Sequence, residues 1–213
     1  MIRLLLADDH ALVREGLKRI LAAASDIEVV GEAANGDETL ALVKQCDFDL
    51  ALVDLSMPGL SGLDLIKRLK LAKPKLRILV LSMHGESQYA ARALKAGASG
   101  YLTKDSAAAQ LLGAIRKVAG GGVHISESAA AQLLGPGGSS SDAPPHTSLS
   151  DREFEVFRQL VAGRSITEIA AALRLSVKTI STHKARILEK MAMASTAELV
   201  RYAVEHCLLD DQA

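Results

Sequence analysis

The first 120 residues alternate short aliphatic runs with segments of helical periodicity, and this alternation restricts the possible folds more than any other feature of the chain. A strand buried on both faces reads as a continuous aliphatic run, whereas a helix packed on a sheet repeats its apolar residues every three to four positions. Strict alternation of the two is typical of a parallel sheet covered by helices on both faces. We therefore predict an α/β, doubly wound sheet of five parallel strands. The runs are 2–7, 27–30, 50–53, 78–81 and 100–102, and the helical segments include 11–24 and 86–96.

A second region begins after a segment rich in glycine, serine and proline. Residues 135–148, GPGGSSSDAPPHTS, hold three of the five prolines of the chain, a composition typical of a flexible linker. No strand-like run follows, and three of four helical patterns open with the Ser-x-x-Glu spacing of a capping box. We predict a first domain at 1–120, a linker with a short helix at 121–148 and an all-helical domain at 149–213. The capping pairs are Ser150 with Glu153, Ser165 with Glu168, and Ser195 with Glu198.

Composition excludes several classes of protein. The 213 residues carry 25 basic and 25 acidic side chains and are 49% apolar, as expected of a globular chain with a sizeable core. Cys46 and Cys207 lie far apart without metal-ligand spacing, which argues against a disulfide framework or a zinc site. The apolar start of the chain runs into acids too early for a signal peptide, and no later segment approaches a membrane span. We therefore expect a cytoplasmic protein.

Polar side chains stand at or just after the C-terminal ends of four of the five aliphatic runs. The carboxyl ends of parallel strands meet along one edge of a sheet, where ligands bind at the point at which the strand order reverses. Any one such residue is ordinarily a loop residue or a helix cap, but the whole set predicts a shared pocket. Its members are Asp8 and Asp9 after the first run, Asp54 after the third, Ser82 after the fourth and Lys104 beyond the fifth.

Three carboxylates around one point require compensating charge. A pair about 4 Å apart repels by about 4 kcal/mol at an effective dielectric near 20. The ammonium of Lys104 balances only one of the three negative charges. A hard divalent cation with oxygen ligands would balance the rest, and Mg²⁺ is the ion we expect.

Four segments around these residues resemble the signatures of response-regulator receiver domains: LLLADDH, LALVDLSMPGLSGLDL, ILVLSMH and ALKAGASGYLTKDS. The resemblance covers residues 1 to about 120 and implies a flavodoxin-like receiver. It also implies that Asp54 accepts a phosphoryl group from the phosphohistidine of a sensor histidine kinase. It further implies that Mg²⁺ is bound by Asp9, Asp54 and the carbonyl of Ser56, and that Asp8 supports the ion through water. Lys104 would pair with the phosphoryl group. Ser82 and Tyr101 would form a conformational switch.

Haloacid-dehalogenase-type phosphatases also place an aspartate nucleophile at a strand end, and they carry a second, proton-donating acid two positions later. Ser56 occupies that position here. Without the proton donor, an acyl phosphate on Asp54 is expected to persist as a signal. We therefore expect no enzyme activity beyond phosphoryl transfer to the chain itself and slow hydrolysis.

The longest helical pattern of the C-terminal region begins after Ser176 and carries an excess of positive charge. Residues 176–190 hold four basic side chains and one acidic side chain, which is the pattern of a helix that contacts phosphates. Solvated basic helices are nevertheless common. Along this helix the apolar stripe expected to dock comprises Val177, Ile180, Ile187, Leu188 and Met191.

The segment LSDREFEVFRQLVAGRSITEIAAALRLSVKTISTHKARILEKM resembles the LuxR-type helix-turn-helix, which makes the whole chain similar to the NarL/FixJ family of transcriptional regulators. The resemblance implies that helix 177–190 enters the major groove of duplex DNA. We expect base contacts from Lys178, Ser181, Thr182 and Ala185, and phosphate contacts from Thr179, Lys184 and Arg186. Lys184 lies on the docked stripe, so its amine must extend outward.

The last helical pattern opens at Ser195 and has an apolar stripe that in this family helps two output domains to pair on DNA. Leu199, Val200 and Ala203 are the residues expected at such a homodimer contact, and packing against helix 151–162 is the equally weighted alternative. A different function also stays open, in which the receiver signals through protein contacts and the helical domain serves only for assembly. DNA binding that weakens steeply with salt would separate the two functions.

Overall fold

The computed structural model describes residues 1–57, 60, 62–82, 87–126, 130, 144–206 and 208. The chain divides into two compact units, Met1–Gly135 and Pro136–Ala213. Most of the predicted linker 121–148 lies outside the described residues, as does Cys207. Among the described helices, none is long and apolar enough to cross a bilayer.

The first unit is a five-stranded parallel sheet with the order β2-β1-β3-β4-β5, which confirms the predicted doubly wound fold. The order reverses between β1 and β3, so the carboxyl ends of these neighbouring strands form the switch point at which ligands bind in such sheets. The strands are β1 Ile2–Ala7, β2 Ile27–Ala33, β3 Leu50–Asp54, β4 Arg77–Ser82 and β5 Gly100–Thr103, and the helices are α1 Ala11–Leu21, α2 Gly36–Gln45, α3 Gly62–Ala72, α4 Ser87–Lys95 and α5 Lys104–Ala119.

The central strands are buried on both faces, as their continuous aliphatic runs predicted. Every residue of β3 is buried, including its terminal acid. On one face, leucines of β1, β3 and β4 form a core with Leu17 of α1 and Ile115 of α5. This packing makes the strand ends rigid supports for the polar residues that follow them.

Two elements differ from the sequence prediction by three residues, and the other predicted runs differ by at most two. Strand β2 continues to Ala33, three residues beyond the apolar run, because it is an edge strand whose exposed positions carry glutamates. Its pairing with β1 also shifts between Leu4 and Leu5, so that Val30 has no register partner there. Helix α1 ends at Leu21 because Ala23 and Ala24 donate to carbonyls three residues back, which tightens the last turn.

The chain that leaves α5 returns to the open edge of β5. His124 forms an isolated parallel bridge with Gly100, and its carbonyl accepts the N–H of Tyr101 at 2.7 Å. A Cβ at residue 100 would lie 3.0 Å from the His124 carbonyl oxygen and 2.9 Å from Leu79 Cδ1. A glycine therefore permits the close approach of the returning chain at this position.

The second unit contains a 3-10 helix and four α-helices among its described residues. Complete capping boxes begin α6 and α7, as predicted. At the fourth helix Ser195 caps the N-terminus, but Glu198 accepts from the N–H of Ala194, one residue earlier than the box requires. The elements are the 3-10 helix Pro145–Ser148, α6 Asp151–Val161, α7 Ile166–Ala172, α8 Val177–Lys190 and α9 Thr196–Glu205.

Candidate functional site

The acids predicted to share a pocket come together at the switch point of the sheet. Asp54 ends β3 and Asp8 follows β1, and both side chains are only 1% exposed, whereas Asp9 is half-buried. Single ligand atoms of these three residues and of His10 all lie within 4.8 Å of one another. Residues separated by 46 positions in sequence thus form one cluster because β1 and β3 are neighbours in the sheet.

Lys104 joins the two buried acids. It is the first residue of α5, directly after β5, and its Nζ lies 2.8 Å from Asp54 Oδ2 and 2.7 Å from Asp8 Oδ2. Burial alone would lower the pKa of this ammonium, but the hydrogen bonds and charges of Asp54 and Asp8 outweigh burial and raise the pKa of Lys104. The side chain therefore stays charged in the folded protein.

Backbone donors fix the orientation of both buried carboxylates. The N–H of Ser56 donates to Asp54 Oδ1 at 2.8 Å, on the side of the carboxylate away from Lys104. The N–H of His10 donates to Asp8 Oδ1 at the same distance, and the Arg14 guanidinium holds the Asp8 carbonyl. Asp54 is consequently held by a donor on each oxygen, which leaves little freedom of rotation.

The donor set fits a divalent cation. Three carboxylates and one ammonium leave an excess of two negative charges in a largely buried cluster. Asp8 Oδ2 and Asp9 Oδ1 are buried, and Lys104 Nζ lies 2.7 Å from the first and His10 Nδ1 2.9 Å from the second. Carboxylate oxygens that converge in excess of the neighbouring cationic charge suit a hard cation such as Mg²⁺.

The predicted switch residues lie on the two strands beyond Asp54. Ser82 is the last residue of β4, and its side chain is fully buried one position beyond Leu81, the register partner of Asp54. Tyr101 pairs with Val80 on β5 and is 7% exposed. The sheet thus places the hydroxyl of Ser82 at the same edge as Asp54, and Tyr101 inward of that edge.

In the second unit, α8 presents the predicted DNA-contacting residues on its accessible surface. Ser176 caps the helix by accepting the N–H of Thr179 at 3.0 Å, and Ile180 and Ile187 are fully buried beneath it. The exposed residues are Lys178, Ser181, Thr182, Ala185 and Arg186, and the half-buried ones are Thr179 and Lys184.

Comparison with known families covers both units. Residues 4–116 match the response regulator receiver domain, and residues 147–203 match the bacterial regulatory proteins of the luxR family. The chain is a LuxR-type response regulator. It belongs with the NarL/FixJ regulators, as the sequence motifs indicated.

Relatives and solved structures resemble this response regulator over nearly its whole length. It is 36% identical to the response regulator GacA of Pseudomonas protegens, over 99% of each chain. It is 35% identical to UvrY of Escherichia coli K12, over 98% of this chain and 96% of the relative. RcsB of Salmonella enterica serovar Typhimurium, solved bound to the promoter rprA with the phosphomimetic BeF3-, aligns with a TM-score of 0.71 and 28% identity, over 96% of this chain and 99% of RcsB.

One interpretation of the regulator's output unit was wrong, and burial favours one of two alternatives for its last helix. Val177 does not dock, since it is 49% exposed: helical spacing assigns a face but not how far along the helix the neighbouring helices reach. Leu199 and Ala203 have no exposed surface within the unit, which favours the alternative that they pack against the unit's own helices. On the last helix, Val200 is half-buried and Val204 is 58% exposed, so only such positions are accessible to a second chain.

Sequence reasoning also missed contacts of the response regulator. His10 Nδ1 lies 2.9 Å from Asp9 Oδ1, and the only available signal was that the histidine directly follows the acid pair. Lys190, counted in the basic excess of α8, is bound to the buried Glu153 at 2.6 Å and is not available to DNA in this state. The buried His146 lies 2.5 Å from the Tyr202 hydroxyl, which joins the 3-10 helix to α9.

Proposed function

We propose that the chain accepts a phosphoryl group on Asp54 and in response regulates transcription through α8. In this proposal the receiver comprises residues 1–120, the linker 121–148 and the DNA-binding domain 149–213. The observation that carries the proposal is the arrangement around Asp54, a nearly buried carboxylate oriented by Ser56 N–H and Lys104 within a cluster that has two uncompensated negative charges.

The donor is the phosphohistidine of a sensor histidine kinase. A carboxylate oxygen of Asp54 forms the new bond to phosphorus while the bond from phosphorus to the imidazole nitrogen breaks, and the imidazole keeps the electron pair. Phosphoryl transfer needs positioning and charge neutralisation more than covalent assistance. The rigid end of β3 supplies the position, and the ammonium of Lys104 is close enough to pair with a phosphoryl oxygen.

Asp8, Asp9, Asp54 and the carbonyl of Ser56 would hold Mg²⁺. When bound, this ion neutralises negative charge on the transferred group. Of these residues, the three carboxylates already converge, and the single ammonium of Lys104 beside them leaves two negative charges uncompensated.

Ser82 and Tyr101 convert phosphorylation of Asp54 into a change of conformation. The Ser82 hydroxyl, at the same sheet edge as Asp54, is in a position to donate to a phosphoryl oxygen, and Tyr101 responds on the neighbouring strand. Moving an equilibrium from 1:99 to 99:1 requires about 5.5 kcal/mol. Two or three charge-assisted hydrogen bonds of about 1.5–3 kcal/mol each are enough to supply it.

The output is binding of duplex DNA by a homodimer in the cytoplasm. Helix α8 enters the major groove, with Lys178, Ser181, Thr182 and Ala185 at base edges and Thr179, Lys184 and Arg186 at phosphates. The exposure of five of these seven residues and the promoter complex of the related RcsB support this assignment. Half-sites on the two-fold DNA site would lie about one helical turn apart.

Phosphorylation is tested by incubating the intact chain with a small acyl-phosphate donor and Mg²⁺ and measuring intact mass. We expect one added phosphoryl group on the wild type and none on Asp54→Asn. Asp64→Asn, which changes a partly exposed acid of α3 outside the cluster, is the matched control and should be modified like the wild type. Equal labelling of the wild type and Asp54→Asn would refute the assignment.

DNA binding is tested by mobility shift of duplex DNA with treated and untreated protein across a salt series. We expect affinity to fall steeply with salt and to rise on phosphorylation. The alternative, signalling through protein contacts alone, predicts binding that is absent or insensitive to salt.

A further inference from the structure

Over residues 177–185 the outward face of α8 offers methyl groups and one long cationic side chain, and the exposed Arg186, assigned to a phosphate, follows Thr182 by one turn. Residues 177, 178, 181, 182 and 185 follow the spacing of a single helical face and are all exposed. Three of them, Val177, Thr182 and Ala185, carry methyl groups, and Lys178 is the only charged member. Such a face is poorly equipped for a series of guanines, whose major-groove edges present only acceptors.

The two hydroxyls of this face already use their hydrogens inside the helix. Ser181 Oγ donates to the Val177 carbonyl at 2.9 Å, and Thr182 Oγ1 donates to the Lys178 carbonyl at 3.0 Å. A hydroxyl has a single hydrogen, so what remains at the surface is its acceptor lone pairs. The bond also fixes χ1 of Thr182, and with it the position of the Cγ2 methyl group.

An A·T pair matches both properties of the face. In the major groove thymine presents its 5-methyl group and adenine presents the N6 donor. The methyl groups of α8 are suited to the first, and the hydroxyl acceptors of Ser181 and Thr182 are suited to the second. A G·C pair offers a cytosine N4 donor but no methyl group, so it satisfies only half of the match.

We propose that α8 recognises its DNA mainly through thymine 5-methyl groups, contacted by Val177, Thr182 and Ala185, with Lys178 making one guanine contact. The inference rests on the proposed entry of α8 into the major groove. From Val177 to Ala185 the helix rises about 12 Å at roughly 1.5 Å per residue, which spans three to four base pairs at about 3.4 Å each. Each half-site therefore contains A·T pairs over most of this span and a guanine opposite the start of α8.

The test begins with selection of binding sites from random duplexes by the intact chain treated with an acyl-phosphate donor. Each thymine of the selected site is then replaced by deoxyuridine, which removes only the 5-methyl group. We expect about three- to fivefold weaker binding at two or more positions per half-site, the size of effect that burying one methyl group produces.

A double-mutant cycle links the protein to the base. Thr182→Ser removes a methyl group and keeps the hydroxyl, so it should weaken binding about three- to fivefold on the thymine duplex and leave binding to the matching deoxyuridine duplex unchanged. Val177→Ala is the second variant, read out in the same way at its own thymine. Thr147→Ser, an exposed threonine of the 3-10 helix whose hydroxyl also donates to a backbone carbonyl, is the matched control and should change neither affinity.

Selected sites rich in G·C, tolerance of deoxyuridine at every position, or fully additive losses in both cycles would each overturn this inference while leaving DNA binding intact. Failure of the intact, phosphorylated chain to select any duplex would instead refute the proposed function, and the inference with it.

Discussion

The two units position their functional groups in opposite ways. In the receiver, the groups come from the ends of different strands, lie nearly buried and are held by one another, as Lys104 holds Asp8 and Asp54. In the output unit, they come from one helix, are mostly exposed and are held by the backbone of that helix. A substitution at the site of the receiver should therefore change both phosphorylation and folding stability, whereas a substitution on α8 can change DNA binding alone.

This difference follows from what each unit must do. A phosphoryl acceptor needs several charges fixed around one point, and only a sheet edge brings such distant residues together. A DNA-reading surface needs side chains that a duplex can reach, and a single capped helix supplies them at regular spacing. Substitutions in the two units should consequently have different signatures in unfolding and binding experiments.

The largest effect is expected from Lys104→Ala in the receiver. Removing the ammonium leaves three carboxylates uncompensated, so unfolding without Mg²⁺ should become easier by about 2–4 kcal/mol. Millimolar Mg²⁺ should restore part of the loss, because an ion held by the folded cluster, as proposed, would stabilise the folded state over the unfolded chain. Denaturant titration with Lys44→Ala, an exposed lysine of α2, as control checks this, and equal midpoints for the two variants would contradict it.

Arg186→Ala should separate function from stability in the output unit. Loss of the proposed phosphate contact should weaken duplex binding about tenfold and lower the salt dependence by about one ion, with the free energy of unfolding unchanged within about 0.5 kcal/mol. The exposed Arg201 of α9 provides the control, since Arg201→Ala should keep wild-type affinity. A large loss of stability in Arg186→Ala would remove the contrast between the units.

Glu153 is a buried charged residue in the output unit, whose proposed functional side chains are mostly exposed. It therefore tests whether burial, and not the unit, determines how strongly a charge affects stability. Burial would raise the pKa of Glu153, but the Lys190 ammonium and the Ser150 hydrogen bonds outweigh burial and lower it. Glu153→Gln keeps an acceptor for Ser150 N–H and loses the ion pair, so it should destabilise the output unit by about 1 kcal/mol. Glu168→Gln, in the exposed capping box of α7, should cost less in the same thermal unfolding experiment.

The smallest effect is expected at an exposed ion pair of the receiver, where Arg116 binds both oxygens of Asp26 at 2.8 Å. Hydrogen bonding to Arg116 lowers the pKa of Asp26 to about 2. Because the folded pKa lies below the unfolded value of about 3.9, the stabilisation is present above about pH 4 and is lost as the pH falls towards 2. Asp26→Asn should lower the unfolding temperature slightly at pH 7, and the difference from wild type should vanish near pH 2 and shrink with salt.

Sequence patterns predicted the receiver better than the contacts of the output unit. A strand that is buried on both faces, such as β3, has a continuous aliphatic sequence, so its position in the chain is easy to predict. The acids at the ends of such strands were predicted to converge because parallel strands end at the same edge of the sheet. The end of β2 escaped prediction because an edge strand alternates polar and apolar residues. The apolar stripe of α9 has the same pattern whether it covers its own core or contacts a second chain, so the sequence left both alternatives open for Leu199 and Ala203, which are fully buried within the unit.

The return of the chain to β5 has a consequence for the behaviour of the protein at high concentration. The N–H of Tyr101 and the carbonyl of Ser99 would otherwise be exposed along an edge strand, where another molecule can add a strand and begin to aggregate. His124 satisfies both groups from within the same chain. These two backbone hydrogen bonds of His124 protect the edge of the sheet from pairing with another molecule, although no sixth strand is present among the described residues.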